Sequence, residues 1–155
     1  MNSHLTAISR KKPPTPVLWL LREGLLHGSI LDYGCGNCRD LNNTWIDMPG
    51  FRSIFSYDPH YQQVMPEGKF DAVLCTYVLC TVEEKDQNFI LWDMQRRLNE
   101  NGIGFISVRN DTPKQGYGVS ARGTYQRKVV LDFLYQLRET SQYRIYLLTP
   151  RSLLV

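Results

Sequence analysis

Short apolar runs alternate along this chain with stretches of helical periodicity. Five runs rich in apolar and aromatic residues are typical of strands buried in a sheet. They lie at 30–32, 51–58, 70–80, 103–108 and 143–148. Apolar residues repeat at helical spacing in 16–26 and 81–98, and 131–139 is also predicted to be helical. Strands that alternate with helices predict an α/β fold with a parallel sheet and right-handed crossovers.

Residues at the ends of two predicted helices fit the chemistry of helix termini. Thr15 is suited to the N-cap of the first helix, and Pro16 is suited to its first turn. Thr81 and Glu84 have the spacing of a capping box at the start of the second helix. Gly102 follows that helix and is predicted to end it.

A carboxylate followed by two glycines stands at the end of the first predicted strand, as Asp32, Gly34 and Gly36. Glycines let the backbone turn tightly and approach a ligand closely. A dinucleotide fingerprint needs no acid here, because its turn meets a pyrophosphate that a carboxylate would repel, and its third glycine is Arg39 in this chain. S-adenosylmethionine carries an ammonium and a sulfonium instead of a phosphate, so a carboxylate beside the turn favours this cofactor.

A second carboxylate, Asp58, ends the next predicted strand. It follows Gly36 by 22 residues, close to the spacing of about 20 residues expected for an acid that binds a ribose. Ligands of parallel sheets bind at the carboxyl ends of the strands. Four segments are therefore expected to meet at one edge of the sheet, and these are 32–36, 58–61, 75–77 and 109–111.

In this turn and in the spaced second acid, residues 28–110 resemble the class I S-adenosylmethionine-dependent methyltransferases. The stretches 31–36, 57–61 and 123–126 are similar to small bacterial and phage methyltransferase-domain proteins, some of them associated with DNA phosphorothioation gene clusters. The resemblance implies that S-adenosyl-L-methionine is the cofactor and that Asp58 binds its ribose. It also implies that Asp32, Gly34 and Gly36 line the methionine side of the cofactor. Together with the neighbouring residues at the strand ends, the expected cofactor-binding residues are Asp32, Tyr33, Gly34, Cys35, Gly36, Asp58, Pro59, Cys75 and Thr76.

The chain departs from the pattern of that family at two places. The third glycine of the turn is Cys38 here. Asp58 and Asp71 are 13 positions apart, too close for the strand and helix that the family inserts there, because a crossover with its helix needs about 10–12 residues by itself. We therefore expect a three-layer, Rossmann-like class I methyltransferase sheet, shortened by one strand and one helix after the second strand. That strand becomes an edge, which a second copy in a homodimer or the N-terminal tail could cover.

The residues expected on the acceptor side follow the same strand ends. Methyl transfer is a displacement at a carbon that the sulfonium already activates, so positioning and the exclusion of water supply most of the rate. The expected catalytic residues are His60, Tyr77, Arg109 and Tyr125. The structural alternatives are a half-exposed loop histidine at His60, a packing aromatic at Tyr77, and an ion pair between Arg109 and Asp111.

Charge is unevenly distributed along the chain. Residues 1–108 carry ten Lys and Arg against twelve Asp and Glu, whereas residues 109–155 carry eight against three. The balance of +5 in the last third favours an anionic acceptor, either a small molecule or a nucleic acid, and a solvated charged face is the alternative.

The glycine-bearing stretch 112–127 is expected to be a mobile lid over the acceptor. Loops of this length without secondary structure are often functional, and closing one over a cofactor excludes water before transfer. Arg122, Arg127 and Lys128 flank Tyr125 there, and basic residues beside an aromatic suit an anionic or stacking partner.

Length and composition agree with a single domain, 1–155, that begins with an N-terminal tail, 1–15. The chain is 43% hydrophobic, but no apolar run approaches the ~20 residues of a membrane span and no signal-peptide pattern begins it, so a cytoplasmic protein is expected. The four cysteines are then expected to be thiols that fill apolar space. No metal site is predicted, although Cys35 and Cys38 have C-x-x-C spacing.

The function expected from these patterns is methyl transfer from S-adenosylmethionine to an unidentified acceptor. One alternative is a catalytically inactive S-adenosylmethionine-binding protein that acts as a partner or regulatory subunit. A second alternative is a nucleotide- or dinucleotide-binding oxidoreductase domain, which a preference for nicotinamide ligands would reveal.

Overall fold

A six-stranded sheet in the order β2-β1-β3-β4-β8-β7 forms the centre of the computed structural model. The structure describes residues 13–36, 51–112, 117–119 and 125–153. The central strands are β1 (Gly28–Tyr33), β2 (Phe51–Tyr57), β3 (Phe70–Thr76), β4 (Leu98–Arg109), β7 (Tyr135–Glu139) and β8 (Tyr143–Leu148). The helices are α1 (Thr15–Arg22) and α2 (Glu84–Arg96), and a separate two-stranded sheet pairs β5 (Tyr117–Val119) with β6 (Tyr125–Arg127).

The first four strands of the central sheet are parallel, and the last two are antiparallel. Strands β1, β2, β3 and β4 pair in parallel, as the alternation of strands and helices predicts. Strand β8 runs antiparallel to β4, and β7 runs antiparallel to β8. The expectation of an α/β fold is confirmed, and the sheet is mixed because its last two strands form a hairpin.

The helix expected over 131–139 is wrong. Residues 131–134 form a turn, closed by a hydrogen bond from the Leu134 amide to the Leu131 carbonyl, and β7 follows directly. Leu131 and Leu134 are buried in the core, so their helix-like spacing reflects one turn and not a continuing helix. Only three residues separate β7 from β8, and this length favours an antiparallel hairpin.

The two described helices lie on opposite faces of the sheet and give three layers. Neighbouring residues of a strand point to opposite faces. Ile30 packs with Val17 and Leu20 of α1, whereas Leu31 packs in a second cluster with Leu91 and Met94 of α2. The expected three-layer arrangement is therefore present in this part of the chain.

Helix α1 ends four residues earlier than its apolar periodicity predicts. The Gly24 amide donates to the Leu21 carbonyl and the Leu25 amide donates to the Leu20 carbonyl, the pattern of a Schellman motif. Gly24 has φ of +67°, which suits glycine at that position. At the other end Pro14 is the N-cap and Thr15 makes no capping hydrogen bond, although Pro16 does lie in the first turn.

The predicted ends of the second helix are also wrong. Thr81 belongs to a single 3-10 turn (Leu79–Thr81), where its hydroxyl donates to the Val78 carbonyl at 2.8 Å instead of capping α2. Glu83 is the N-cap, with no side-chain capping bond. Gly102 lies within β4 and not at the helix end. A Cβ there would approach the Phe70 carbonyl oxygen to 2.7 Å, so the close packing of the backbone favours glycine at this position.

The connection after β2 is short, as the spacing of Asp58 and Asp71 predicts. Residues 59–69 contain a tight turn, with a bridge between Asp58 and Gln62, and no helix or strand. Among the described strands β2 pairs only with β1, so it lies at an edge of the sheet. Self-association through that edge stays a prediction. Residues 37–50 and most of the N-terminal tail lie outside the described residues. Among the residues that the structure describes, no helix is long and apolar enough to cross a membrane.

Replacing Gly28 by alanine should lower the free energy of unfolding by about 3 kcal/mol or more, because two penalties combine. Gly28 has φ of +75°, and its Cβ would overlap the Asp71 carboxylate, which accepts hydrogen bonds from the Ser29 amide and the Asn99 side chain. Gly24→Ala is the matched control, since it has a similar φ and nothing within 4 Å of the added Cβ. It should cost only about 1 kcal/mol. Equal losses in urea unfolding of the two variants would contradict this account.

Candidate functional site

The turn after β1 is built on two glycines with positive φ. Gly34 has φ of +79° and Gly36 has φ of +63°, conformations that side-chain-bearing residues rarely adopt. The amides of Gly34 and Cys35 both donate to the Tyr57 carbonyl, at 2.7 and 3.0 Å. A Cβ on Gly34 would lie 2.5 Å from Cγ2 of Val78, so the turn packs closely against the segment that follows β3.

Asp58 joins this turn to the one that follows β2. Its Oδ2 accepts a hydrogen bond from the Gly36 amide at 2.8 Å. Its Oδ1 accepts from the His60 amide at 2.8 Å and from the Tyr61 amide at 3.1 Å. Backbone amides thus hold the Asp58 carboxylate at the carboxyl end of the sheet, next to the glycine turn, as the sequence predicts.

Asp32 has a very different environment. It is only 8% exposed, and no hydrogen bond to its carboxyl group is found within the described residues. Burial, and to a smaller extent the charge of Asp58, raises the pKa of Asp32 from 3.8 to about 7. The pair therefore consists of one carboxylate that the backbone stabilises and one that has no partner among the described groups.

The side chain of Tyr33 points away from this turn and into the core. Its hydroxyl donates to Oδ2 of Asp93 on α2 at 2.8 Å, and burial followed by this hydrogen bond raises the pKa of Tyr33. Only the backbone of Tyr33 lies at the turn. Sequence reasoning missed Asp93, and the available signal was a carboxylate between the buried Leu91 and Met94 on the inner face of a helix.

Cys75 and Thr76 end β3 beside Asp32. Cys75 is fully buried in the core, and burial raises the pKa of its thiol, so it is a packing residue at the site. Thr76 is half-buried. The neighbouring position of these residues and Asp32 follows from the parallel pairing of β1 with β3, in which Asp32 lies opposite Leu74.

Tyr77 and Arg109 come together at the carboxyl ends of β3 and β4. Tyr77 has φ of +59°, unusual for a residue with an aromatic side chain, and its amide donates to the Ser107 carbonyl at 2.9 Å. The Arg109 guanidinium lies 4.9 Å from the centre of the Tyr77 ring. Arg109 also pairs with Asp111 at 3.4 Å, with both side chains partly exposed, so the predicted ion pair is present.

His60 and Pro59 are exposed on the turn after β2. The imidazole of His60 packs edge-on against the ring of Tyr61, with their centres 4.6 Å apart. These residues lie next to Asp58 along the chain, and the bonds of the His60 and Tyr61 amides to Asp58 shape the turn. The structure thus shows a structural role for the His60 backbone, and a role for its imidazole in transfer stays a prediction.

The sequence predicted that 112–127 is a loop without secondary structure, and this prediction is wrong. The stretch contains the hairpin of β5 and β6, which pairs Val119 with Tyr125. Arg127 ties β6 to the body of the protein, because its Nε donates to the Val82 carbonyl at 2.7 Å and its side-chain amino group donates to Oε1 of Gln87 at 2.6 Å. Tyr125 lies on this hairpin and is partly exposed, whereas Arg122 lies outside the described residues.

The expectation of four thiols is wrong for Cys35. Cys35 is disulfide-bonded, and its partner lies outside the described residues. Cys75 and Cys80 are free and buried, as expected for cysteines that fill apolar space.

Comparison with known proteins shows similarity at the level of structure. DhpI bound to S-adenosylhomocysteine has a TM-score of 0.57 at 14% sequence identity, over 84% of this chain and 80% of that one. The 1,6-didemethyltoxoflavin-N1-methyltransferase of Burkholderia thailandensis, with S-adenosylhomocysteine bound, has a TM-score of 0.58 at 15% identity, over 86% and 76%. CalO1, a methyltransferase in calicheamicin biosynthesis, has a TM-score of 0.55 at 16% identity, over 83% and 51%.

The chain has the fold of the class I S-adenosylmethionine-dependent methyltransferases. The resemblance that its glycine turn and spaced acids indicated is thus confirmed for the fold. No family model and no curated protein sequence matches the chain. Within this methyltransferase fold, the glycine turn, Asp32 and Asp58 lie at the carboxyl ends of β1 and β2.

Asp32 should make this methyltransferase-fold protein less stable as the pH rises from about 4 to 7. Its folded-state pKa is above its unfolded-state value, so the folded protein holds a proton that the unfolded chain releases in this range, and stability falls as pH rises. The shift to about 7 corresponds to a loss of up to about 4 kcal/mol. Asp32→Asn should remove this part of the pH dependence in denaturant unfolding.

The matched control for that measurement is Asp132→Asn, since Asp132 is an exposed carboxylate on the turn before β7. Its stability profile should follow that of the unmodified protein between pH 4 and 8. A profile of Asp32→Asn that is parallel to the unmodified protein would contradict the assignment of a proton to buried Asp32.

Proposed function

We propose that the protein binds S-adenosylmethionine at the glycine turn and transfers its methyl group to an acceptor. The observation that carries this proposal is Asp32, a buried carboxyl group without a partner among the described residues, at a turn built on Gly34 and Gly36. Such a group favours a ligand that brings positive charge. The ammonium and sulfonium of the cofactor supply that charge, whereas a dinucleotide would bring a pyrophosphate.

Asp58 is proposed to hold the ribose. Each carboxylate oxygen has two lone-pair sites. Among the described residues, Oδ1 accepts from two amides and Oδ2 accepts from the Gly36 amide, so Oδ2 has room for one further donor. A ribose hydroxyl fits that place, and the backbone amides hold the oxygen for it before the cofactor arrives. In this geometry the ribose assignment of Asp58 rests on a single hydrogen bond.

The chemistry that remains for the protein is to place the two reactants and to exclude water. The bound cofactor supplies a methyl group that its sulfonium has already activated. The glycine turn fixes the methionine end, and the packing of Val78 against Gly34 closes the turn on the side of β3. The hairpin that Arg127 anchors lies against the 3-10 turn after β3. This contact supports the proposal that the hairpin covers the acceptor side.

We infer that the acceptor is an anion, such as a small molecule with a carboxylate or phosphate group. The Arg109 guanidinium rests on the Tyr77 ring at the strand ends, which limits its rotation and orients its donors. Its ion pair with Asp111 uses one amino group at 3.4 Å and is partly exposed, so an anionic ligand can compete for Arg109. The net positive charge of residues 109–155 also favours a negatively charged ligand.

S-adenosylhomocysteine should raise the melting temperature of the protein, and Asp58→Ala should remove most of that increase. A ligand that binds only the native state stabilises it. A hydrogen bond to a charged group contributes about 1.5–3 kcal/mol, which is about a 10- to 100-fold loss of affinity when it is removed. Asp132→Ala is the control for loss of a surface carboxylate. A calorimetric dissociation constant that Asp58→Ala leaves unchanged would contradict the ribose assignment.

Transfer itself is tested with S-adenosylmethionine that carries an isotopically labelled methyl group. Label that moves into a small-molecule pool or into nucleic acid supports an enzyme, and the labelled product identifies the acceptor. Binding of S-adenosylhomocysteine without transfer to any acceptor would instead support an inactive cofactor-binding protein. If a nicotinamide dinucleotide stabilised the protein more than S-adenosylhomocysteine does, the result would contradict the proposed function.

Arg109→Met should raise the KM for the identified acceptor by about 10-fold or more, because it keeps the apolar stem and removes the cation. The affinity for S-adenosylhomocysteine should stay within twofold of the unmodified protein. Arg138→Met is the matched control, since the Arg138 guanidinium lies 4.5 Å from the Trp19 ring, in a similar contact on α1. An acceptor without negative charge, used equally well by Arg109→Met, would overturn the anionic assignment.

A further inference from the structure

A buried hydrogen bond connects the end of β1 with the middle of α2. The Tyr33 hydroxyl donates to Oδ2 of Asp93 at 2.8 Å, and Asp93 is only 6% exposed. The other carboxylate oxygen of Asp93 lies 3.4 Å from nitrogen atoms of both Arg96 and Arg97. Two arginines therefore compensate the charge of Asp93, and the carboxylate is a fixed acceptor for the tyrosine.

Tyr57 supports the same arrangement from β2. Its ring packs against that of Tyr33, with centres 5.2 Å apart. Its carbonyl accepts the Gly34 and Cys35 amides. Tyr33 directly follows Asp32 and Tyr57 directly precedes Asp58, so each acid of the site is the chain neighbour of an aromatic ring on the α2 face.

We propose that Tyr33 and Asp93 are positioning residues, which hold Asp32 and the glycine turn in the geometry that binds the cofactor. The inference rests on the proposed binding of S-adenosylmethionine. Tyr33 lies between Asp32 and Gly34, and its anchored side chain restricts the backbone on both sides. Gly34 and Gly36 have the widest conformational freedom of any residue, so without an anchor the turn populates conformations that do not bind.

Tyr33→Phe removes the hydroxyl and keeps the ring. The dissociation constant of S-adenosylhomocysteine should rise about 10-fold in titration calorimetry at a temperature where the variant is folded. Tyr143→Phe is the matched control, since Tyr143 is a buried tyrosine of β8 whose hydroxyl accepts from Arg138 at 3.1 Å, in the core cluster that contains α1. It should lower the melting temperature but leave the dissociation constant within twofold. Equal dissociation constants for the two variants would overturn the proposal.

Changes at Asp93 test the same contact from its other side. Asp93→Asn keeps an oxygen that accepts from Tyr33 and should bind S-adenosylhomocysteine within about threefold of the unmodified protein. Asp93→Leu should weaken binding about as much as Tyr33→Phe, and the double variant Tyr33→Phe/Asp93→Leu should lose no more than either single one. Additive losses in the double variant would show that the two residues act independently, contrary to the proposal.

Amide hydrogen exchange tests the positioning without any ligand. The Gly34, Cys35 and Gly36 amides, which bond to Tyr57 and Asp58, should exchange about 10-fold faster in Tyr33→Phe than in Tyr143→Phe. Unchanged exchange would refute the positioning role even where cofactor binding is normal. If the unmodified protein does not bind S-adenosylhomocysteine, the proposed function fails by itself, and faster exchange in Tyr33→Phe would still establish the anchor.

Discussion

The hydrogen bonds that converge on the Asp58 carboxylate organise the carboxyl end of the sheet. Three backbone amides, from Gly36, His60 and Tyr61, bind its two oxygens. The glycine turn after β1 and the short turn after β2 are thereby closed against each other through one side chain. Because the donors are backbone groups, they hold the carboxylate without using the side chains that a ligand would contact. Asp32 lies beside Asp58, and its burial, followed by the charge of Asp58, raises the pKa of Asp32.

Helix α2 packs on one face of the sheet and contacts two segments of the candidate site. Asp93 in its middle binds the Tyr33 hydroxyl, and Gln87 in its first half accepts from Arg127 of the β5–β6 hairpin. One helix thus contacts both the segment that carries Asp32 and the segment that carries Tyr125. Leu91 and Met94 are buried beneath it, so the helix is a rigid base for both contacts.

Local sequence rules predicted the strands better than the ends and types of the other elements. The apolar runs at 70–80 and 143–148 contain β3 and β8, because a strand buried on both faces needs apolar residues at nearly every position. Thr81 and Glu84 have capping-box spacing, yet Thr81 bonds to Val78 within a 3-10 turn that the packing of β6 stabilises. The turn at Leu131 has helical spacing for only four residues, and the chain then continues as β7, which pairs with β8 in an antiparallel hairpin.

The sequence by itself determined the fold and the two acids of the candidate site, since a glycine turn after Asp32 and a second acid at Asp58 depend only on local backbone chemistry and spacing. Tertiary structure alone decided which acid is satisfied. Asp58 meets three amides, whereas Asp32 is buried without a donor in the described part of the chain. It also decided that Tyr33 faces Asp93, 60 residues away, and that Arg127 is an anchor. Burial and partners at such separations arise from the packing of whole elements, which no local pattern encodes.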